Sequence, residues 1–521
     1  DTADVYSAWV PGHKGGESES MIGAWLKESG ARDQVLIATK VGMMPGGLKP
    51  DRIRDAVQGS LGRLGTDCID LYFAHKDDPD VPLDEVLGAF AELVDAGVVD
   101  AIGLEPATGF IVLAGLTYYV IGFLKSVLGG AALPVIGLAL MAGMATAEEV
   151  KIGVLLGFTG PLESITPTMA AGAELAMAEV STSGKFMGGS TVTPVRSDST
   201  CVDSTAAAAA AERLVTADGV KAIVGADCSG VTGAVLQGVA RPQGIGMISP
   251  SSTSPALSTA EDDGLFLRTA PSDARQGQIM SDILSARGVK TVALTYTNND
   301  YGKGMADAFA AAFTAAGGTV TATVPHEDGK GDYSAEVATL ASAGGEVLVV
   351  AGYVDQGGKG VIQASLDSGA FSTFYLVDGM YGESLIGAIG EGLNGSFGAV
   401  PGTDSAGSAT YEEIAKAAGF DGSNAFSKES YDAAALIALA MAASGSTDSK
   451  VWSTKVMDLA NAPGEPIQPG ELGKALELIA AGTDIDYVGA SSVELVGPGE
   501  SAGNYREIEI KDGKIETIGF R

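Results

Sequence analysis

The stretch VKTVALTYTNNDYGKGMADAFAAAFTAAGG, residues 289–318, decides the fold. Its opening VKTVALTY, 289–296, is rich in β-branched and apolar residues and reads as a buried strand. Lys303–Ala316 reads as a helix that stops at Gly317 and Gly318, where glycine supplies the left-handed turn that ends helices. The polar string NNDYG lies between them. A strand, a polar loop and a helix in this order make half of a parallel β-α-β unit.

The same unit recurs on both sides. KIGVLLGF (151–158), VKAIVGA (220–226), EVLVVAGY (346–353) and TFYLVDG (373–379) are strands, and STAAAAAAERLVT (204–216) is a helix. Open parallel sheets gather ligands beyond the carboxyl ends of their strands. The residues to watch are therefore those at strand ends: Phe158, Ser229, Ser251, Thr253, Tyr301, Tyr353 and Asp378.

The chain has 521 residues, 46% hydrophobic and 19% charged, enough apolar material for more than one core. Asp and Glu total 65 against 32 Lys and Arg, a net charge of −33 that would repel phosphate backbones and anionic lipid surfaces. Nucleic acid is excluded as a partner on that ground. The three cysteines, Cys68, Cys201 and Cys228, are too few and too scattered for a zinc cluster, and no metal site is expected. Cys201 and Cys228 sit at the mouths of neighbouring strand-helix units and are free to pair if this part is exported.

Two further parts precede the repeating units. From Asp1 to about residue 105, short strands VLIATKV (35–41), CIDLYFAH (68–75) and VVDAIGL (98–104) alternate with helices at Pro50–Leu64 and Leu83–Ala96. Residues 109–147 are almost wholly apolar apart from Lys125. Read from Lys125, this segment has a basic residue, an apolar run Val127–Met144 and the small-residue site Ala145-Thr146-Ala147, the layout of a secretory signal peptide. Gly129, Gly130, Pro134 and Gly137 make a buried packed helix the poorer reading. Cleavage near Ala147 places the remainder in the periplasm; left uncleaved, residues 109–147 would be its one contact with the membrane.

The opening DTADVY, followed by GESESMIGAWL, IATKVG and DLYFAHKDD, resembles the aldo-keto reductase family. The resemblance implies a catalytic tetrad of Asp1, Tyr6, Lys40 and His75, in which a Lys ammonium held by a carboxylate lowers the phenol pKa so that Tyr6 protonates a carbonyl receiving hydride. It covers about half of an eight-stranded barrel, and the part that would hold the nicotinamide cofactor has no counterpart after Glu105. The tetrad is therefore expected to be vestigial, with no catalysis and no cofactor. Because the chain starts at Asp1 inside this pattern, an upstream portion is expected to be missing.

From Glu149 onward the chain resembles the type I periplasmic binding proteins, specifically the leucine/isoleucine/valine-binding branch. The likeness rests on six motifs in order: IGVLLGFTGPLE (152–163), SDSTCVDS (197–204), VKAIVGADCSGVTGAV (220–235), MISPSSTSPALS (247–258), NNDYGKGMADAF (298–309) and VVAGY (349–353). It implies an α/β architecture of two Rossmann-like lobes, one from about 150–270 and 402–484, the other from 271–401 and 485–521. A small amino acid would lie between them and be passed to the permease subunits of an ABC importer. The resemblance places Ser229 and Thr253 at the ligand carboxylate with backbone from Ser251, Asp378 at the ammonium, and Tyr301 and Tyr353 over the ligand. Phe158 and Ile165 are candidates for the side-chain pocket, and a Cys201–Cys228 disulfide is implied.

The residues themselves leave plainer readings open. Ser251, Ser252 and Thr253 after a proline suit a turn or helix cap, Asp378 before Gly379 suits a turn, and the tyrosines and Phe158 suit ordinary packing. Asp378 also departs from the longer Glu of the leucine-type proteins. Two other functions stay in view: an NADPH-dependent reductase working through the tetrad, and a tethered sensory ligand-binding domain. The chain holds only His13, His75 and His326 as histidines, and no motif after Glu149 pairs a serine with a base, so this part reads as a binder and not an enzyme.

Overall fold

A computed structural model of the chain describes residues 2–10, 12–76, 78, 81–104 and 148–521. Asp1 and the apolar segment 109–147, with its signal-like stretch 125–147, lie outside the described residues. The chain divides into two compact units with the boundary near Gly137. Among the described residues no helix is long and apolar enough to cross a membrane.

The N-terminal unit consists of α1 (Glu17–Ser29), β1 (Ala38–Val41), α2 (Pro50–Leu64), β2 (Ile69–Ala74), α3 (Leu83–Asp95) and β3 (Val99–Leu104). Its strands form one parallel sheet in the order β1-β2-β3. Proline at the first turn of α2 and a left-handed Gly65 after its end explain why that helix matches the sequence reading. Ile53, Val57, Leu61 and Leu64 bury one face of α2 in a core shared with Ile69, Tyr72 and Phe90. The described residues form an open three-stranded sheet and not a closed barrel.

The larger unit holds two seven-stranded sheets. The first contains β4 (Glu149–Leu156), β5 (Thr191–Asp198), β6 (Ala222–Gly225), β7 (Met247–Ser249) and β8 (Phe266–Pro271). The second contains β9 (Thr291–Thr297), β10 (Thr319–His326), β11 (Val347–Ala351), β12 (Phe374–Leu376) and β13 (Phe397–Pro401). A small parallel pair, β14 (Glu465–Ile467) and β15 (Ile485–Tyr487), stands apart. β16 (Leu495–Val496) and β17 (Glu500–Ser501) then complete the first sheet, and β18 (Tyr505–Lys511) and β19 (Lys514–Phe520) the second. The orders are β16-β17-β8-β7-β6-β4-β5 and β10-β9-β11-β12-β13-β18-β19.

This corrects the expected lobe boundary. Residues 485–501 do not belong to the second lobe, because Glu500 pairs with Arg268 on β8 and β15 pairs with β14. The last crossing between lobes falls between Ser501 and Tyr505. Two-residue strands among glycines carry too little hydrophobic pattern to be assigned to a sheet from sequence.

The helices that matter for the site are α4 (Thr166–Thr182), α5 (Ser204–Thr216), α6 (Ser229–Val235), α7 (Asp273–Ala286), α8 (Asp300–Ala315), α9 (Gly357–Ser368) and α10 (Ser427–Ser444). α8 starts three residues before the predicted Lys303, since the Asn299 side chain caps it by accepting from the Gly302 N–H at 3.0 Å. α10 is buried along nearly its whole length, packing on α4 and behind the first sheet. The lobes meet at their rims: the Ser164 N–H donates to Asp355 Oδ2 at 2.9 Å, Ser164 Oγ lies 3.2 Å from Ser384 Oγ, and the Asp355 N–H donates to the Pro161 carbonyl at 3.2 Å. These bonds join a loop after β4 to loops of the second lobe, so the cleft is closed.

Candidate functional site

Five strand ends converge on the cleft. β6 runs into Asp227, Cys228 and α6; β7 into the loop Pro250–Ser254; β9 into α8; β11 into Gly352 and Tyr353; and β12 into Asp378. Ser229, Thr253, Tyr301, Tyr353 and Asp378 are each at most 4% exposed. In a shut cleft this is what strand-end polar groups become.

Asp227 anchors the first-lobe half. It is buried and accepts from the Gly157 N–H at 2.9 Å and from Ser199 Oγ at 2.6 Å, which joins three loops at one carboxylate. Burial raises its pKa, opposed by those hydrogen bonds. Beside it Cys201 and Cys228 form a disulfide, and Cys228 stands immediately before α6, so the start of that helix is covalently tied to the loop after β5. Ser249 Oγ and Ser252 Oγ donate to the Ala226 carbonyl, and Ser251 Oγ to the Asp227 carbonyl at 2.9 Å. The hydroxyls of Ser251 and Ser252 therefore hold the loop, as the turn-forming reading required. Among the described residues neither the Ser251 carbonyl nor the Thr253 N–H has a hydrogen-bond partner. Ser229 Oγ accepts from the Ser254 N–H at 3.1 Å.

The second-lobe half is built from acids and phenols. Tyr301 and Tyr353 stack with centroids 5.1 Å apart and planes at 18°. Tyr301 Oη donates to Asp378 Oδ1 at 2.6 Å, while Asn299 Nδ2 reaches Tyr353 Oη at 3.4 Å. Gly379 is required here: a Cβ would lie 2.8 Å from Tyr301 Oη and 2.6 Å from the Gly352 carbonyl oxygen. Burial and the adjoining carboxylates push the Tyr301 phenol well above its usual range, so it stays protonated and donates.

A second carboxyl group, absent from the sequence reading, faces the first. Asp273 is fully buried, its N–H donates to the Thr253 carbonyl at 2.8 Å, and the Thr253 hydroxyl is the side-chain donor beside its carboxyl, with the Arg268 charge behind. Burial and the nearby Asp378 raise its pKa well above the ordinary carboxylate range. Burial likewise raises that of Asp378, against the hydrogen bond from Tyr301. In sequence Asp273 hides as an acid in the first turn of α7 after the N-cap Ser272, an ordinary place for an acid.

Other predicted residues stand farther from this cluster. The Phe158 ring is half-buried under the Arg196 guanidinium, 5.4 Å from its centroid. Ile165 is buried and packs near Val354 and Gly382 of the other lobe. His326 is buried in the second lobe with Nδ1 2.8 Å from Thr295 Oγ1, and burial lowers its pKa to about 4, which keeps it neutral. In the N-terminal unit Lys40 Nζ lies 3.1 Å from Tyr6 Oη, and the Tyr6 and His75 rings are 5.7 Å apart, so three of the four tetrad residues do come together.

A family model described as periplasmic binding protein matches residues 149–457, and one described as the aldo/keto reductase family matches residues 1–108. An aldo-keto reductase of Strobilurus tenacellus is 45% identical over 99 residues, 19% of this chain and 30% of the relative. The chain thus spans less than a third of the length of the aldo-keto reductases it matches. A chemotactic signal transduction substrate-binding protein of Halobacterium salinarum is 28% identical over 390 residues, covering 71% of this chain and 89% of the relative. Among solved structures, a branched-chain amino acid transporter substrate binding protein of Streptococcus pneumoniae in complex with isoleucine superposes with a TM-score of 0.59 at 22% identity, over 71% of this chain and 98% of the other. A solute binding protein of an ABC transporter from R. palustris in complex with 4-hydroxybenzoate gives a TM-score of 0.57 at 19% identity, over 72% and 97%. These likenesses establish the two-lobed fold; the ligands differ among its bearers.

Proposed function

Since the chain belongs to the periplasmic binding protein family, we propose that residues 149–521 capture a small α-amino acid, most simply an aliphatic one, for delivery to the permease subunits of an ABC importer. One observation carries the choice of ligand: Asp273 and Asp378 are both buried and near each other, and among the described residues neither forms a salt bridge. Two desolvated carboxyl groups ask for a cationic group on the ligand. An ammonium supplies it, and a benzoate does not. The Ser251 carbonyl is a further acceptor for that ammonium, a different role from the carboxylate contact first expected. The Thr253 N–H, which has no acceptor among the described residues, supplies a donor at the other pole, so the two ends of a zwitterion are told apart. Contacts from both lobes exist together only in the closed state, which links capture to the shape an importer would recognise. Lys125–Ala147 would serve as the export signal, and the aldo-keto reductase-like unit would be catalytically inert.

Calorimetric titration of the full chain tests this. Leucine, isoleucine, valine or alanine should bind, whereas 4-methylpentanoate and 4-hydroxybenzoate should not. Equal affinity for leucine and 4-methylpentanoate would refute the ammonium site.

A further inference from the structure

The loop that presents Thr253 is gripped from behind by a buried arginine. Arg268, on β8, is 1% exposed. Its Nη1 donates to the carbonyls of Ser252 and Ser254, both at 2.9 Å, and its Nη2 to Ser258 Oγ at 2.7 Å and Glu500 Oε2 at 2.5 Å. One of those carbonyls lies on each side of Thr253. In a trans peptide the C=O and the following N–H point in opposite directions. Drawing the Ser252 carbonyl toward Arg268 therefore turns the Thr253 N–H away from it. Among the described residues that N–H has no acceptor, whereas the Thr253 hydroxyl lies beside the Asp273 carboxyl. The N–H is a donor left over after the loop is made.

Glu500 fixes the guanidinium in turn. It sits opposite Arg268 in the β17–β8 pairing, and the Arg268 N–H donates to the neighbouring Gly499 carbonyl at 2.9 Å. The β17 segment leads directly into the last crossing between the lobes. The hydroxyls of Ser251 and Ser252 tether only the base of the loop, to the carbonyls of Ala226 and Asp227. The Ser254 end is held by Ser229 Oγ. The Thr253 carbonyl is held by the Asp273 N–H at 2.8 Å, which leaves the tilt of the Ser252–Thr253 peptide, the one that carries the Thr253 N–H, to Arg268.

We infer that Arg268 is a positioning residue for the ligand's carboxylate, aiming the Thr253 N–H into the cleft while Glu500 holds it in register. The inference rests on the amino-acid reading above only for its choice of probes. The test compares leucine with isopentylamine, which keeps the ammonium and side chain but lacks the carboxylate. In the full chain, Arg268→Met should weaken leucine roughly tenfold or more and isopentylamine by less than about twofold. Hydrogen exchange of the ligand-free chain should quicken in the peptide covering 250–258. Equal losses for the two probes, or no loss, would overturn the inference. If Arg268→Met does not fold, Glu500→Gln decides: it should shift the affinity ratio in the same direction, about threefold, and an unchanged ratio with unchanged exchange overturns the proposal. Failure of the unaltered chain to bind leucine would sink the amino-acid reading alone, because the exchange measurement still judges the hold of Arg268 on the loop.

Discussion

Asp273→Asn should make the empty protein more stable and the binding of an amino acid weaker, a pairing of signs that a packing defect would not produce. The Asp273 carboxyl is fully buried, with only the Thr253 hydroxyl and the Arg268 charge to offset the lost solvent, and Asp378 lies nearby with its own charge. A buried unsatisfied polar group costs about 1–3 kcal/mol, and more when charged. Asn removes the charge but keeps a polar amide, so the expected gain is about 1–2 kcal/mol, a few degrees in Tm. On the ligand side, the variant loses one charge-assisted hydrogen bond to the ammonium, about 1.5–3 kcal/mol, or roughly 10- to 150-fold in Kd. Asp378 remains to hold the ammonium, so losing both acids should exceed either single loss without equalling their sum. The pH dependences also oppose each other. Burial raises both pKa values, so the folded state binds more protons than the unfolded one above the ordinary carboxylate range. Their stabilising contribution is thus complete below the unfolded pKa and is lost as pH rises through the folded values. Affinity for an ammonium needs the ionised acids, so it weakens as pH falls through the same raised values. Differential scanning calorimetry of the empty chain and isothermal titration with leucine, each from pH 4 to 8, measure both. A lowered Tm in the empty Asp273→Asn chain, or an unchanged leucine affinity, would refute the reasoning.

Three further outcomes are expected. Gly304→Val should hold the lobes apart and raise Kd, since even a Cβ there would lie 3.0 Å from Pro255 Cδ and 3.0 Å from Ser254 Oγ across the closed cleft; small-angle scattering with saturating leucine would show whether closure is lost. Changing Cys201 and Cys228 to Ser should destabilise the binding unit by roughly 3–4 kcal/mol on the chain-entropy estimate for a loop of 27 residues, read as a lower urea midpoint with leucine absent. The purified chain should reduce no simple aldehyde or ketone with NADPH, despite the nearness of Lys40 to Tyr6; activity abolished by Tyr6→Phe would contradict this.

Local pattern determined the repeating units. Apolar runs of five to eight residues, each followed by a helical stretch, place β4, β9 and β11 within two or three residues of where they lie, because each signal is contained in its own segment. The motifs also named Ser229, Thr253, Tyr301 and Tyr353, and the strand TFYLVDG named Asp378; all follow strand ends and so inherit their position from the sheet. What the chain alone did not disclose depends on partners distant in sequence. Asp273 looks like a helix-start acid until burial removes its solvent and sets it near Asp378, 105 positions on. Arg268 looks like one charge in a strand until Glu500, 232 residues later, pairs with it. The last crossing between lobes, near residues 502–504, was fixed by that pairing as well. A side chain's neighbours along the chain set its conformation, but its charge state and its hydrogen-bond partners are set by whatever the fold packs against it, and that only the tertiary structure decided.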